Sequence, residues 1–252
     1  MKINHNQIQL NSTLNTQHPN YIIEFMTNEW IRNNLIALVV MIFVLVIGHF
    51  LSKKQNTYAL YIMGLVLIFS SIYSPLRSYF LGNWNIAIDL PLHLCGISGI
   101  ICAILPFLKN KQSLFDFVFY TGIIGGIMSM LTPQINSYDG SLFTYIEYYV
   151  RHSLILIMPI YLHQNYGMEL NKNSMIKTFI ILNVLLVIIM PFNFFVGGNY
   201  MYLAEPPQVE NPLIIGKWPF YILWFEVFMV VLLFLLFYLS KIRLGQIFKP
   251  SV

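Results

Sequence analysis

Long apolar stretches separated by short polar segments make up most of this chain. A helix needs about 20 mostly apolar residues to cross the hydrocarbon core of a bilayer. Stretches that reach or approach this length cover residues 35–51, 58–73, 86–108, 114–131, 148–162, 175–195 and 220–239. The second and fifth are short and must recruit flanking residues. The pattern predicts an all-α, polytopic membrane protein whose transmembrane domain is a seven-helix bundle.

Charged loop residues predict the orientation of this bundle. Nine of the fourteen Lys and Arg residues fall on one side of the predicted spans, and five fall on the other. Because cytoplasmic loops are enriched in Lys and Arg, we expect the N-terminus outside and the C-terminus in the cytoplasm. Residues 1–20 are polar and predict a disordered tail, and residues 21–34 form either an interfacial segment or a lead into the first span. Residues 35–241 form the seven-span domain, and residues 242–252 form a cytoplasmic tail.

Composition agrees with a membrane domain and leaves no room for a separate soluble module. Hydrophobic residues make up 57% of the chain and charged residues only 10%, whereas a soluble domain carries about 25% charge. The net charge of +4 is spread over the loops, so we expect no nucleic-acid partner. Cys95 and Cys102 lie about two helical turns, or about 10 Å, apart. We expect two free thiols, because this separation is too long for a disulfide.

Polar and ionisable residues gather near the predicted outer ends of several spans. Such groups cost about 2.5–3.5 kcal/mol each inside hydrocarbon on insertion scales, so they mark function by default. The gathered residues are Arg77, Asp89, His93, Glu147, Arg151, His152, Asn193, Asn199, Tyr200 and Glu226. We predict that they form one polar pocket open to the outside. The alternative is a network that only joins helices, in which Arg77 pairs with Asp89 and Glu147 pairs with Arg151.

The polar residues that lie toward the cytoplasmic ends of the spans are His49, Asp116 and His163. Each is close to lysines or to the expected level of the lipid headgroups. We therefore predict interfacial positions for them.

The third span begins with an acid, an imidazole and a thiol within a few residues. Asp89 and His93 are four residues apart, so on a helix they share a face and Asp89 can orient the imidazole. His93 and Cys95 are about 200° apart around a regular helix. If Cys95 reacts as a thiolate, a base from another span, such as His152, suits it better. A cysteine in an apolar helix is also a common packing residue, and this interpretation stays open.

Two patches of the chain resemble a known family. Residues 90–95, Leu-Pro-Leu-His-Leu-Cys, resemble the signature of the YwaF-type bacterial integral membrane proteins. Residues 198–203 and 218–221 resemble the same family near its last span, and His152 matches its fifth-span histidine. The family more often has Ser before that histidine, where this chain has Arg151. The YwaF-type proteins are similar to the eukaryotic transmembrane protein 164 family, whose members are described as acyltransferases that use a cysteine to move fatty acyl chains between phospholipids.

This resemblance implies that Cys95 is the nucleophile that accepts the acyl group, with either His93 or His152 as the base. The residues expected to bind substrate are Arg77, Asp89, Glu147, Arg151, Asn199, Tyr200 and Glu226, and among them Arg77, Asn199 and Tyr200 are candidates to hold the phosphate or the oxyanion. We expect membrane lipids as partners, a lysolipid as the acceptor, and a multi-pass location in the cell membrane. We expect no metal and no cofactor, and the oligomeric state stays open.

Two other functional classes also stay open. A metal-dependent membrane hydrolase, similar to the seven-span ceramidase-like enzymes, would use Asp89, His93 and His152 as ligands. A non-enzymatic transporter, receptor or lipid-binding subunit would need the pocket but no reaction. Seven spans with an outer N-terminus also describe receptors.

Overall fold

The computed structural model describes residues 20–136, 138–208 and 214–241. These residues form seven α-helices, which confirms the prediction of an all-α fold. The helices are α1 (Asn28–Phe50), α2 (Lys53–Phe80), α3 (Leu94–Ile104), α4 (Gln112–Leu131), α5 (Leu142–Tyr166), α6 (Ser174–Val196) and α7 (Phe220–Leu239). The predicted tails, apart from Asn20, lie outside the described residues.

Side-chain caps fix where several helices begin. Thr27 and Ser141 precede α1 and α5, and each accepts a hydrogen bond at 3.2 Å from the backbone N–H three residues further on. Ser52 and Gln55 form a reciprocal capping box at the start of α2, with distances of 2.9 and 3.3 Å. Such caps stabilise the unpaired amides of a first helical turn. Helix α2 therefore begins before the apolar stretch and reaches 28 residues, so the short second stretch becomes long enough to span.

Five helices, α1, α2, α4, α6 and α7, are long and apolar enough to cross a membrane. Helix α5 has 25 residues but is more polar. Helix α3 continues into a 3-10 turn at Leu105–Phe107, and this apolar unit is shorter than the others. The seven-span arrangement and the orientation of the termini stay predictions.

The prediction of a continuous third span over residues 86–108 is wrong at its start. Residues 86–93 form turns, and α3 begins only at Leu94, with His93 as its N-cap. Pro91 has no backbone N–H to donate, and its ring disfavours a helical conformation of the residue before it. Asp89 accepts hydrogen bonds from the Asn85 backbone N–H at 2.7 Å and from the Ser78 hydroxyl at 2.9 Å, which competes with helix formation. Asp89 and His93 therefore do not share a helical face.

Helix α4 is the centre of the bundle. Within its most apolar window 67% of the residues are buried, against 11% in the corresponding window of α7. Gly122 and Gly126 let α5 approach closely, because a Cβ at these positions would lie 2.8 Å from the Ile155 carbonyl oxygen and 2.7 Å from the Leu156 Cβ. Small residues of this kind allow close packing of helices in membranes.

A short antiparallel ribbon covers one end of the bundle. Strand β1 (Tyr21–Ile22) pairs with β2 (Gln134–Ile135), with Tyr21 opposite Ile135. The next residue, Ile23, is buried and donates its backbone N–H to Pro133 at 3.1 Å. We call this the cavity end of the bundle, the end at which α1, α3, α5 and α7 begin and α2, α4 and α6 end.

Candidate active site

A cavity of about 430 Å³ lies at the cavity end, between the helices. Eight of the ten side chains expected to form the site line it. They are Arg77, Asp89, His93, Cys95, Glu147, Arg151, His152 and Glu226. Asn199 and Tyr200 do not line it. Residues from α2, α3, α4, α5, α6 and α7 therefore meet around one space, together with the turns before α3 and the loop before α7.

The cavity has a polar part and an apolar part. The ionisable side chains from α2, α3 and α5 line the polar part. The apolar part is lined mainly by α6 and α7, with Leu182, Leu186, Ile222, Phe225, Phe228, Met229 and Leu232. A molecule that fills the whole cavity needs a polar end and a hydrocarbon end, which is the chemistry of a membrane lipid.

Cys95 lies at the second position of α3, at the edge of the cavity. Its sulfur is in hydrogen-bonding contact with the backbone N–H groups of Cys95 and Gly96, which belong to the unpaired first turn of the helix. Arg151, Tyr148 and Tyr202 are close enough to interact electrostatically with the thiol. Helix N-termini and guanidinium groups stabilise the thiolate, which is the nucleophilic form of cysteine, whereas burial of the thiol opposes the charged form and is the larger effect.

Arg151 has no ion pair and no hydrogen bond to the described residues. The pair with Glu147 that the alternative of a helix-joining network required is not formed, and the Glu147 carboxylate accepts a hydrogen bond from Ser70. The guanidinium packs beside Gly99 of α3 and lines the cavity. A cation that has no partner at the wall of a cavity inside an apolar bundle is free to bind an anionic group.

Arg77 does not pair with Asp89, so the second ion pair of that alternative network is not formed either. Arg77 forms a salt bridge with Asp139 in the loop between β2 and α5. The Asp89 carboxylate accepts hydrogen bonds from the Ser78 hydroxyl and from the Asn85 backbone N–H. Both carboxylates therefore stabilise loops at the cavity end, and neither bonds an imidazole.

His152 is buried on α5 and presents one nitrogen to the cavity. Its Nδ1 lies 2.7 Å from the Tyr148 carbonyl oxygen, and the two rings pack with centroids 4.3 Å apart. Since a carbonyl oxygen only accepts, Nδ1 carries the proton and Nε2 of the neutral ring carries a lone pair. Among the described residues Nε2 has no partner. The ring can therefore accept a proton from a group in the cavity.

At His93, in contrast to His152, the Nδ1 atom accepts a hydrogen bond. The Met201 backbone N–H donates to His93 Nδ1 at 3.2 Å. The ring packs between Tyr200 and Tyr202, with centroid distances of 5.4 and 5.3 Å. Asp89, which was expected to orient this imidazole, takes no part, and a loop from the far end of the chain orients it.

Asn199 and Tyr200 lie outside the cavity and stabilise its walls. The Asn199 side chain bonds the backbone of residues 204–205 at 2.9 to 3.1 Å and so forms a turn. The Tyr200 hydroxyl donates to the Ile86 carbonyl at 2.6 Å and accepts from the Leu90 backbone N–H at 3.0 Å. Tyr200 thus joins the loop before α7 to the turns before α3. Their role in substrate binding stays a prediction.

Glu226 lies in the apolar part of the cavity. Its Oε2 accepts a hydrogen bond from Asn183 of α6 at 3.1 Å. This hydrogen bond joins α6 directly to α7, in addition to the loop that connects them. Whether Glu226 also contacts substrate stays a prediction.

Most residues that line the cavity were not among the expected site residues, and four of them bear on its chemistry. Tyr148 and Tyr202 flank Cys95, and Ser71 and Gln134 each carry a buried side-chain oxygen without a hydrogen-bond partner among the described residues. Burial raises the pKa of Tyr202 to about 12, so its phenol stays protonated. Tyr202 belongs to the 198–203 segment that carries the family resemblance, which is a usable signal. Gln134 lies in the two-residue strand β2, which has no such signal.

The described residues contain no group of three or more His, Cys, Asp and Glu side chains that could hold a metal ion. The three ligands considered from the sequence were Asp89, His93 and His152. The Asp89 oxygens accept from Ser78 and Asn85, and the Nδ1 atoms of His93 and His152 are bonded to Met201 and Tyr148, so only the two Nε2 atoms are left among these groups.

Fold and site together define a helical membrane protein with an amphipathic cavity inside the bundle and a cysteine and two imidazoles at its polar part. The model of the TMEM164 family matches residues 20–237, a range that includes all seven helices almost completely and every residue of the site. The chain therefore belongs to the TMEM164 family. No curated protein and no solved structure matches it.

Proposed function

We propose that the chain catalyses acyl transfer or hydrolysis on membrane lipids, with Cys95 as the nucleophile. One observation carries the proposal: the thiol lies at the start of α3, beside the unpaired Arg151, in a cavity that His152 also lines. A thiol, an imidazole and a positive charge on the wall of one cavity are the groups that thioester chemistry requires. Membership of the TMEM164 family supports the proposal as well.

The first half of the reaction moves the acyl group to the enzyme. His152 Nε2 accepts the thiol proton, and the sulfur attacks the carbonyl carbon of a lipid ester. The resulting oxyanion is stabilised by the first amides of α3 and by Arg151. When the intermediate collapses, the C–O ester bond breaks, and the leaving alkoxide takes the proton back from His152. The products are an acyl thioester on Cys95 and a lysolipid.

The second half releases the acyl group. The hydroxyl of a lysolipid acceptor, or water, gives its proton to His152 and attacks the thioester carbonyl. The C–S bond breaks, and the thiolate regains a proton from His152. Transfer to a lysolipid remodels lipids, whereas transfer to water is hydrolysis, and the same residues serve both outcomes.

The shape of the cavity supports a lipid substrate. Its volume of about 430 Å³ lies in the range of about 300–1,000 Å³ that is typical of small-molecule sites. The apolar part between α6 and α7 fits an acyl chain, since each buried CH₂ group contributes about 0.8 kcal/mol. The polar part, with the unpaired Arg151, fits a phosphate or the reacting ester. A multi-pass location in the cell membrane follows as part of the same proposal.

The test compares Cys95→Ala with Cys102→Ala in nanodiscs that contain phospholipid and lysolipid. Cys102 is a matched control, because it lies on the same helix but is fully buried outside the cavity. We expect the wild-type protein and Cys102→Ala to move a labelled acyl chain and Cys95→Ala to be inactive. Turnover by Cys95→Ala at the wild-type rate would contradict the proposal. Lipid bound in the cavity of a wild-type protein without turnover would favour a lipid-binding subunit instead.

A further inference from the structure

Two imidazoles line the same cavity, and their hydrogen bonds assign them opposite tautomers. His152 donates from Nδ1 to the Tyr148 carbonyl, which leaves a lone pair on Nε2. His93 accepts at Nδ1 from the Met201 backbone N–H, and a backbone N–H only donates. The proton of the neutral His93 ring is therefore on Nε2. His93 Nε2 has no partner among the described residues, so one ring offers a lone pair to the cavity and the other offers an N–H.

The loop that holds His93 is fixed by several independent contacts. Met201 and Tyr202 adopt left-handed backbone conformations, with φ of 55° and 56°, which non-glycine residues avoid. The fully buried Asn193 side chain bonds both the N–H and the carbonyl of Tyr200 at 2.8 Å. The Tyr221 hydroxyl donates to the Tyr202 carbonyl at 2.5 Å. Unfavourable backbone conformations persist only where the surroundings over-determine them, and they cluster at functional sites. Here they direct the Met201 N–H at His93.

We infer that His93 is a fixed hydrogen-bond donor that stabilises the oxyanion formed at Cys95, and that it is not the base. This inference rests on the proposed function and deepens it. His93 is the N-cap of α3 and Cys95 is the second residue of that helix, so the imidazole N–H and the first helix amides belong to the same turn. An imidazole N–H is an established type of oxyanion donor, and loss of one such donor costs about 10²–10³-fold in rate.

Three substitutions distinguish a donor from a base. His93→Gln keeps an N–H near the ε position but cannot take a proton. His93→Asn keeps an acceptor for the Met201 N–H but has no group at the ε position. We expect His93→Gln to stay within about tenfold of the wild-type rate and His93→Asn to lose about 10²–10³-fold. His152→Gln, which removes the base, is expected to lose about 10²–10⁴-fold.

Two outcomes overturn the assignment of His93. One is equal activity of His93→Gln and His93→Asn. The other is loss in His93→Gln together with activity retained in His152→Gln. Cys95→Ala, measured beside them, separates the two claims: an active Cys95→Ala contradicts the proposed function itself. An inactive Cys95→Ala with the wrong order among the histidine variants contradicts only the assignment.

A second measurement reads the tautomers of the two histidines in the wild-type protein and uses variants only to assign the peaks. Nitrogen-15 spectra of histidine-labelled wild-type protein in nanodiscs report which ring nitrogen carries the proton. We expect Nε2–H for His93 and Nδ1–H for His152, with the peaks assigned by loss in His93→Gln and His152→Gln. The same tautomer on both rings, or the reverse pair, overturns the inference.

Discussion

The buried polar groups at the two ends of the helical bundle differ in how many of their hydrogen bonds are formed. At the end opposite the cavity, both Asp116 oxygens accept hydrogen bonds from Gln112 and Asn171, at 2.7 to 3.3 Å. Asn56 donates to two backbone carbonyls at 3.1 Å and accepts from Tyr161. At the cavity end, by contrast, several polar groups lack partners among the described residues. They are Arg151, His93 Nε2, His152 Nε2, the Ser71 hydroxyl and Gln134 Oε1.

This difference separates structural polar groups from groups available to a ligand. A buried polar group without a partner costs free energy, so its persistence on one cavity calls for an explanation. Two exceptions lie at the opposite end. His163 Nδ1 bonds the Met168 carbonyl at 2.7 Å, and the buried His163 Nε2 and Asn165 Nδ2 have no partner among the described residues. Neither residue lines the amphipathic cavity. Asn165 lines a smaller cavity of about 340 Å³ at this end, together with His49 and Asn56.

The largest expected effect comes from comparing the two buried histidines. His152→Gln should lower acyl transfer by about 10²–10⁴-fold, because Gln cannot accept the thiol proton. His163→Gln should leave the rate per folded molecule unchanged. Turnover assays and thermal unfolding of both variants check this. Equal loss of activity in the two variants would mean that the ends of the bundle do not differ in function.

Arg151→Met tests whether the unpaired guanidinium contributes to the reaction. We expect a loss of about 10²–10³-fold in turnover, as for other oxyanion donors. The unfolding temperature should change little, since no ion pair is broken. Arg151→Lys keeps the charge but not the planar group, and it should recover part of the rate. A fall in the unfolding temperature with unchanged turnover would make Arg151 a structural residue.

Asp116→Ala tests the opposite end. The substitution leaves the Gln112 and Asn171 donors unpaired, so we expect a loss of about 1–3 kcal/mol in the free energy of unfolding. Ser71→Ala is the matched change at the cavity end. Because the Ser71 hydroxyl has no partner in the part of the chain that the structure describes, its removal should not destabilise the protein. Unfolding curves in one detergent compare the two variants, and a larger loss for Ser71→Ala would reverse the comparison.

Tyr202→Phe should have the smallest effect. The ring contact with His93 is kept and only the hydroxyl is lost, so the expected loss of rate is about twofold to tenfold, the value of one neutral hydrogen bond. Burial raises the pKa of Tyr202 to about 12, so the phenol is protonated well above neutral pH. The ratio of wild-type to variant rates should therefore stay constant from pH 7 to about pH 10. A ratio that falls within this range would show that the phenol titrates there.

The helices and the position of the cavity could be predicted from the sequence because both follow from the alternation of apolar stretches and polar ends. Consecutive spans reverse direction, so the end of α2 and the starts of α3 and α5 must lie at one end of the bundle. This places Arg77, His93 and His152 together without any knowledge of packing. Asp116 and His163 are buried between helices at the end opposite the cavity, and their position at the membrane interface stays a prediction.

What could not be predicted depends on backbone atoms and on loops. The turns at residues 86–93 form because Pro91 and the Asp89 side chain oppose a helix, although the stretch is apolar enough for one. The partner of Arg77 is Asp139, whose loop position depends on a two-residue ribbon. The tautomers of the histidines depend on one carbonyl and one backbone N–H, which no pattern of side chains reveals.

The most direct test of the central claim is mass spectrometry of the protein isolated during turnover in phospholipid nanodiscs. We predict a peptide that contains Cys95 with one fatty acyl group attached through a hydroxylamine-sensitive thioester, and an unmodified Cys102. Sustained acyl transfer with no acyl group on Cys95 would contradict the account.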